Sequence, residues 1–307
     1  MPVLARGFMD GSGRTAQRRA WCGASGPVTV RVVLQVVDER AFEATRGQHG
    51  HGRGALVARA QGERSVLARI HATSPLRFLQ PTFPGTRAAC ACLLTFGGGL
   101  IDGDVIDVDL VVEPGATLVL FTQATTKAFK GRTRQNLRAE VHGTLVLLPD
   151  PVACFAGADY RQRVDITLHD QGSAVVLDGF TSGRAAYGDR WAFACLDLAT
   201  TVQRDGVMLV RDATRLAAAD GPIAPRLDRF EALASVLAIG PRVQPITASI
   251  LAPSVVTRDL VAAPSPLAHG ALVRIAGTSP ALALAEARAR LRNLREIDVV
   301  DPFVARH

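Results

Sequence analysis

The segment Val105-Ile106-Asp107-Val108-Asp109-Leu110-Val111-Val112, followed by Glu113-Pro114-Gly115 and then Thr117-Leu118-Val119-Leu120-Phe121-Thr122, decides the fold class. Ile106, Val108, Leu110 and Val112 alternate with Asp107 and Asp109. One side of the segment is therefore apolar and the other charged, which is the two-residue period of a half-buried β-strand. Pro114 presets φ and Gly115 tolerates positive φ, so the chain turns there before the second apolar run begins.

Outward from this pair the pattern recurs. Residues 55–60, 65–70, 137–141, 144–148, 164–168 and 174–177 are short apolar or alternating runs separated by Gly, Pro and Asp. A strand about every 8–12 residues argues for a sandwich, a barrel or a solenoid. The absence of long helical patterns between the runs disfavours βαβ units. Residues 28–37 are a candidate first strand, and residues 45–54, in which Gly and His alternate, read as a loop. Residues 1–26 are rich in Gly, Arg, Ser and Ala without periodicity. Near the C-terminus two helices are expected, over residues 246–261 and 280–297. In the second, Pro280 suits a first helical turn, and Leu282, Ala285, Ala289 and Leu294 would form its apolar stripe. The expected organisation is a poorly ordered arm over residues 1–54, with a possible first strand, and a single β-rich domain over residues 55–300 that includes the helices. The expected fold class is mainly β, a β-helix-like or stacked-sheet solenoid with about two α-helices toward the C-terminus.

Composition narrows the function. Of the 307 residues, 48% are hydrophobic and 21% charged, enough to build a core. The formal net charge is +7, carried almost wholly by Arg, since Lys occurs only at Lys127 and Lys130. Such a balance suits an acidic partner. The charges are scattered, however, and aromatics, at 5%, do not interleave with them, so a nucleic-acid interface is disfavoured. The five cysteines, Cys22, Cys90, Cys92, Cys154 and Cys195, are odd in number and irregularly spaced, which fits a reducing cytoplasm better than a disulfide framework. No run of about 18 apolar residues suggests a membrane span, and no apolar segment at the N-terminus suggests a secretory signal.

Four polar motifs sit at expected strand ends. Gly97-Gly98-Gly99-Leu100-Ile101-Asp102-Gly103-Asp104 is glycine-rich, yet it leads into a strand instead of a helix N-terminus, and G-x-x-x-x-G-K-[ST] occurs nowhere in the chain. Autonomous nucleotide hydrolysis is thereby disfavoured. Thr122-Gln123-Ala124-Thr125-Thr126-Lys127 places hydroxyls, an amide and a lysine at a strand exit. Leu148-Pro149-Asp150-Pro151 fixes a carboxylate in a rigid turn. Gly183-Arg184-Ala185-Ala186-Tyr187-Gly188-Asp189-Arg190-Trp191, preceded by Asp178-Gly179, is densely charged. Taken singly, each is an ordinary turn. Cys90-Ala91-Cys92 and His49-Gly50-His51 lack the second half of a zinc site and read as core or loop residues. His71, His142, His169 and His269 are isolated in sequence, and no G-x-S-x-G elbow accompanies them.

Taken in order, the motifs GGGLIDGD, EPGATLVLFTQATTKAF, LVLLPDPVACFAGADYRQ, GRAAYGDRW and RDATRL resemble the urease accessory protein UreD family, with Pro75-Leu76-Arg77 and Pro81 also similar. The resemblance covers about residues 55–243 and extends more weakly to Ile297. It departs from the family's usual residues at Asp189, where Glu is common, and at Cys154, where the PDP turn is usually followed by Pro.

The resemblance implies a non-catalytic maturation factor, chaperone and scaffold in one. Such a factor binds the urease apoprotein and the helical accessory protein UreF, gathers the GTPase UreG through UreF, and helps deliver nickel to the urease active site. It implies no tightly bound cofactor, only transient nickel, and an internal path lined by polar groups. Weak oxygen ligands suit such a path better than thiolates, because the ion must leave as well as enter. The expected metal contacts are Asp102, Asp104, Asp150 and Asp189, with Gln123, Thr126, Lys127 and Arg184 as the adjoining polar lining, and a buried Lys127 would keep the carboxylates ionised. A hydrolase using Asp102 and Asp104, or Asp150 and Asp189, as an acid–base pair is the competing enzyme reading. A basic nucleic-acid binder is the third.

Overall fold

A computed structural model describes residues 50–303 together with the short strand Thr29–Arg31. Of the arm expected over residues 1–54, residues 1–28 and 32–49, which include the rest of the candidate strand over 28–37, lie outside the described residues. Where the sequence suggests a loop through Gly54, the first long strand already begins, as His51–Gln61. The reason is packing. A Cβ at Gly54 would fall 2.6 Å from Leu76 Cδ2 and 2.8 Å from Phe78 Cζ, so the glycine lets the strand lie against the facing sheet.

The strands form two sheets. The first contains Thr29–Arg31, Leu76–Thr82, Ala89–Thr95, Thr117–Thr122, Thr144–Leu148, Ser173–Thr181, Ala232–Ile239, Gly270–Gly277, Leu260–Leu267 and Val255–Val256 in spatial order, with Val152–Cys154 and Lys127–Ala128 attached at the side. The second runs Val207–Ala217, Cys195–Arg204, Ala158–Leu168, Gly131–Val141, Val105–Val112, His51–Gln61 and Arg64–Ala72. Between Val105 and Arg204 the chain alternates from one sheet to the other. Each return lays a new strand parallel to the one placed before it, so that Val105–Val112 pairs with Gly131–Val141, and Thr117–Thr122 with Thr144–Leu148. Parallel pairing is thus achieved by switching sheets, without helical crossovers, consistent with the missing βαβ pattern. The mainly β expectation holds.

Burial explains the two kinds of strand pattern. Strand Val105–Val112 keeps Ile106, Val108, Leu110 and Val112 buried, while Asp107 and Asp109 face outward. Every residue of Thr144–Leu148 is buried. The first sheet is covered on both faces, which demands continuous apolar runs. Leu118, Leu120, Leu145, Leu147 and Val176 pack between the sheets. Val119, Phe121, Val146, Leu148 and Val175 pack outward against Val243, Ile246, Ile250, Ala283, Ala287 and Leu291 of the C-terminal helices.

The turns between sheets are tight. A Cβ at Gly143 would lie 2.1 Å from the carbonyl oxygen of Ala116, and Thr144 donates its N–H to that oxygen at 2.8 Å, so only glycine fits where one turn passes the last.

The helices depart from the sequence reading. The segment expected as one helix over residues 246–261 is a short helix, Gln244–Ile250, followed by strands Val255–Val256 and Leu260–Leu267. Pro253 and the β-branched Val255, Val256 and Thr257 end the helix and favour extension. Helix Pro280–Arg290 forms as expected, with Ser279 Oγ accepting from Leu282 N at 3.3 Å as its cap, and continues into a 3-10 segment, Arg292–Ile297. Its buried stripe is Ala283, Ala287, Leu291 and Leu294, whereas Leu282 is exposed. The sequence stripe shares only Leu294 with it. A further short helix, Ala224–Leu227, had no sequence signal.

Candidate functional site

The molecule's interior is not uniformly apolar. Inward positions of Ala158–Leu168 carry Tyr160 and Gln162 among Ala158, Val164, Ile166 and Leu168. Inward positions of Gly131–Val141 include Thr133 and Gln135. The facing strand Ser173–Thr181 breaks its apolar run at Asp178. These residues meet between the sheets. The Tyr160 hydroxyl donates to Gln162 Oε1 at 2.8 Å and lies 3.3 Å from Gln135 Oε1. Gln162 Nε2 donates to Asp178 Oδ2 at 3.0 Å, and Gly179 N–H donates to Asp178 Oδ1 at 2.8 Å.

A cavity of about 50 Å³ opens beside this network, lined by Thr122, Thr126, Gln135, Asp150, Gln162, Asp178 and Arg163 together with apolar residues of both sheets. That volume accommodates a small number of waters or one partly hydrated cation. A second cavity of about 60 Å³ borders Asp178 on its other side, with Asp212, Thr214 and Ser235 in its wall. Arg274 reaches across this cavity and donates to Asp212 Oδ1 through Nη2 at 2.7 Å. Asp178 retains some accessible area because it borders both cavities, yet protein crowds its carboxyl closely. Burial, which penalises the anion, pushes its pKa up from 3.8 to about 6, against the opposing hydrogen bonds from Gly179 and Gln162. Burial likewise drives the Tyr160 phenol well above its ordinary value, so it stays a neutral donor.

The four aspartates expected to contact metal occupy three settings. Asp102 and Asp104 share the turn before Val105–Val112. Asp102 Oδ1 accepts from Arg132 N at 2.7 Å, and the buried Asp104 accepts from Gly50 N at 3.1 Å and Ile101 N at 2.8 Å. Both carboxylates hold backbone in place. Asp150 lies on the wall of the first cavity, where its N–H donates to Thr122 Oγ1 at 2.8 Å and its Oδ2 accepts from the same hydroxyl at 3.1 Å. Asp189 is engaged by Arg184, whose Nε lies 2.7 Å from its Oδ2. The Arg184 guanidinium also stacks 4.3 Å from the Phe155 ring centroid.

Of the adjoining residues, Thr126 lines the first cavity. Gln123 and Lys127 are exposed at the strand exit. Lys127 therefore supplies no buried ammonium to the carboxylates, because the short strand Lys127–Ala128 buries only its alanine. Among the described residues, no group of three or more His, Cys, Asp or Glu side chains is placed to hold a metal ion permanently.

Cys90, Cys92, Cys154 and Cys195 are buried thiols outside any disulfide among the described residues, and Cys22 lies outside the described residues. Burial pushes the Cys90 thiol up to about 12 and Cys154 higher still, so neither offers a ready thiolate. His142 and His169, far apart in sequence, stack with ring centroids 4.3 Å apart, because their strands are adjacent and in register.

The residues missed from sequence were Tyr160, Gln162, Gln135 and Asp178 in its central place. Their signal was polar side chains at the inward phase of otherwise apolar strands.

The acid–base pairs of the hydrolase reading are not assembled. Asp102 and Asp104 bind backbone amides, Asp150 pairs with a threonine, and Asp189 is met by an arginine. Two facing sheets with a small polar network between them define a β-rich protein. The family model described as UreD urease accessory protein matches residues 50–303, and the chain belongs to that family. Among curated relatives, it is 44% identical over 236 residues to a urease accessory protein UreD of Sorangium cellulosum, covering 74% of this chain and 75% of that one. It is 38% identical to a protein of the same description from Anaeromyxobacter, covering 80% and 86%. It is also 32% identical to urease accessory protein D of Arabidopsis thaliana, over 63% of this chain and 69% of that one. The family supports a role in urease maturation. No described helix is long and apolar enough to cross a membrane.

Proposed function

We propose that this chain is a non-catalytic scaffold for urease maturation that binds the urease apoprotein, joins it to UreF and through UreF to UreG, and gives nickel a protected route toward the urease active site. Nickel is here a cargo and not a resident cofactor. The alternation of parallel strands supports a β-helix-like stack as the frame for that route, and a reducing cytoplasm suits the buried thiols, which form no disulfide among the described residues.

The observation that carries the reading is Asp178 set between two cavities, one between the sheets and one partly open beside the exposed Arg274. A buried carboxylate is costly and is retained where it has work to do. With a pKa near 6, Asp178 is anionic at neutral pH but holds its charge at a cost that a passing cation relieves. Asp150, on the wall of the first cavity, and Asp212, on the wall of the second, extend the series of oxygen ligands. Each site has few ligands, so binding is weak enough for release. Asp102, Asp104 and Asp189 lie outside the lining of both cavities and serve the scaffold by fixing turns and the Arg184 side chain.

The test is urease activation in cells carrying Asp178→Ala or Asp150→Ala, with co-purification of urease, UreF and UreG measured on the same strains. The expected outcome is intact assembly with activation reduced about tenfold or more for Asp178→Ala. Full activation by both variants would remove the route through these cavities.

A further inference from the structure

The outer face of the second sheet carries its charges unevenly. At one end of the strands they are matched. Arg138 lies 3.6 Å from Asp109, Arg59 lies 2.7 Å from Glu113, and His169 lies 2.6 Å from Glu140. At the other end they are matched only in part. Lys130, Arg132 and Arg134 follow one another on the outward phase at the start of Gly131–Val141, and all three are exposed. In the parallel register Arg134 stands directly opposite Arg161. Like charges opposite each other across strands are destabilising, and here Arg161 has Asp159 as its ion-pair partner, whereas the salt bridges among the described residues include none to Arg134.

The acidic groups nearby are few and already used. Asp159 serves Arg161 at 3.3 Å and Arg132 at 3.8 Å, and Asp102 caps the backbone of Arg132. Asp197, opposite Arg161, is held by Arg163 at 2.9 Å. The same end of the molecule exposes large apolar side chains. Ile101, 58% exposed, sits in the turn whose Gly103 N–H donates to the Arg132 carbonyl at 2.9 Å. Tyr187, 80% exposed, lies beneath Arg184, which also stacks on Phe155. Phe155 packs on Phe129, next to Lys130. Basic and apolar groups are therefore contiguous here.

We propose that this end of the sheet, centred on Lys130, Arg132, Arg134 and Arg161 and flanked by Ile101 and Tyr187, is the docking face for an acidic protein surface. Carboxylates on the partner relieve the Arg134–Arg161 repulsion, and the flanking Ile101 and Tyr187 supply apolar contact of the kind found at interface centres. A nucleic acid fits less well. A nucleic-acid backbone offers Ile101 no apolar partner, and of Phe129, Phe155 and Tyr187 only Tyr187 is exposed for base stacking. The inference rests on the reading of the chain as a partner of the urease apoprotein and adds the surface by which it binds.

The probe is purified urease apoprotein, titrated against the full chain, against Lys130→Glu/Arg132→Glu/Arg134→Glu, and against Arg64→Glu/Arg69→Glu/Arg211→Glu, which changes the net charge equally at other exposed positions of the same sheet. Far-UV circular dichroism and melting verify that each variant is folded. The expected result is binding by the parent that weakens as salt rises, a loss of about tenfold or more for the first triple variant, and less than about threefold for the second. Arg132→Lys/Arg134→Lys restores most of the affinity, because the charge remains. Equal losses in both Glu variants show that net charge alone matters and overturn the docking face. So does unchanged binding by the first variant, or its misfolding together with unchanged binding by Arg161→Glu. If a mixed-sequence single-stranded RNA displaces the apoprotein through these residues, the face belongs to nucleic acid and the proposal falls. If the parent does not bind the apoprotein, the functional reading fails first and the docking face with it.

Discussion

Asp178 occupies a costly position. It interrupts an apolar strand, accepts hydrogen bonds from Gly179 and Gln162, and lies between two cavities. Its raised pKa has a consequence for stability. The folded protein holds the Asp178 proton more tightly than the unfolded chain does, so the associated stability is complete below about pH 3.8 and is lost as pH rises through about 6. Asp178→Asn removes this titration. Relative to the parent, the variant should gain about 3 kcal/mol between about pH 4 and pH 6.5 and then stay level. Melting temperatures of both proteins across that range test this, and a constant difference would show that Asp178 does not titrate there. The sign also sets the cargo argument. A charge that destabilises the empty fold is the one a bound cation stabilises.

At the scale of elements, the C-terminal helix shows what a sequence stripe can and cannot specify. Capping by Ser279 and the helix formers from Ala281 onward define where Pro280–Arg290 begins and that it is helical. They do not define which face is buried. Alanines on three sides of the helix leave the stripe nearly undetermined, and the docking angle against Ala232–Ile239 and Gly270–Gly277 chooses Ala283, Ala287 and Leu291. The buried Arg290 then locks that choice, donating to the carbonyls of Ile250, Ala252 and Pro253 and pairing with Glu286 at 2.7 Å. Leu291→Ala should therefore cost about 2–4 kcal/mol, while Leu282→Ala stays within about 0.5 kcal/mol. Urea unfolding of the two variants separates them, and equal effects would mean that the helix packs on the face expected from sequence.

Across the whole molecule, the first sheet is shared by both cores. One core lies between the sheets and the other beneath the helices, and the same strands contribute alternate residues to each. Neither core can lose its sheet while the other keeps it, so residues 50–303 should unfold in one cooperative step. Thermal melts followed by tryptophan fluorescence, to which the buried Trp191 contributes, and by far-UV circular dichroism should coincide. A separate earlier transition in the circular dichroism would show that the helical layer melts by itself.

The sequence by itself determined the class of fold, because a two-residue period such as that of Val105–Val112 and turns such as Glu113-Pro114-Gly115 are local chemistry. It determined the family as well, through the order of turn motifs that recur wherever the chain leaves a strand. It pointed to Asp150 and Thr126, which line the first cavity, because rigid turns and strand exits are visible locally. Only the tertiary structure decided that the strands pair in parallel while alternating between two sheets, that Lys127 lies outside, and that Tyr160, Gln162 and Asp178 meet. Inward and outward phases are equivalent in a one-dimensional pattern. They become different when a second sheet closes over one of them, and then a glutamine on the apolar phase and an aspartate in an apolar run become neighbours in a site.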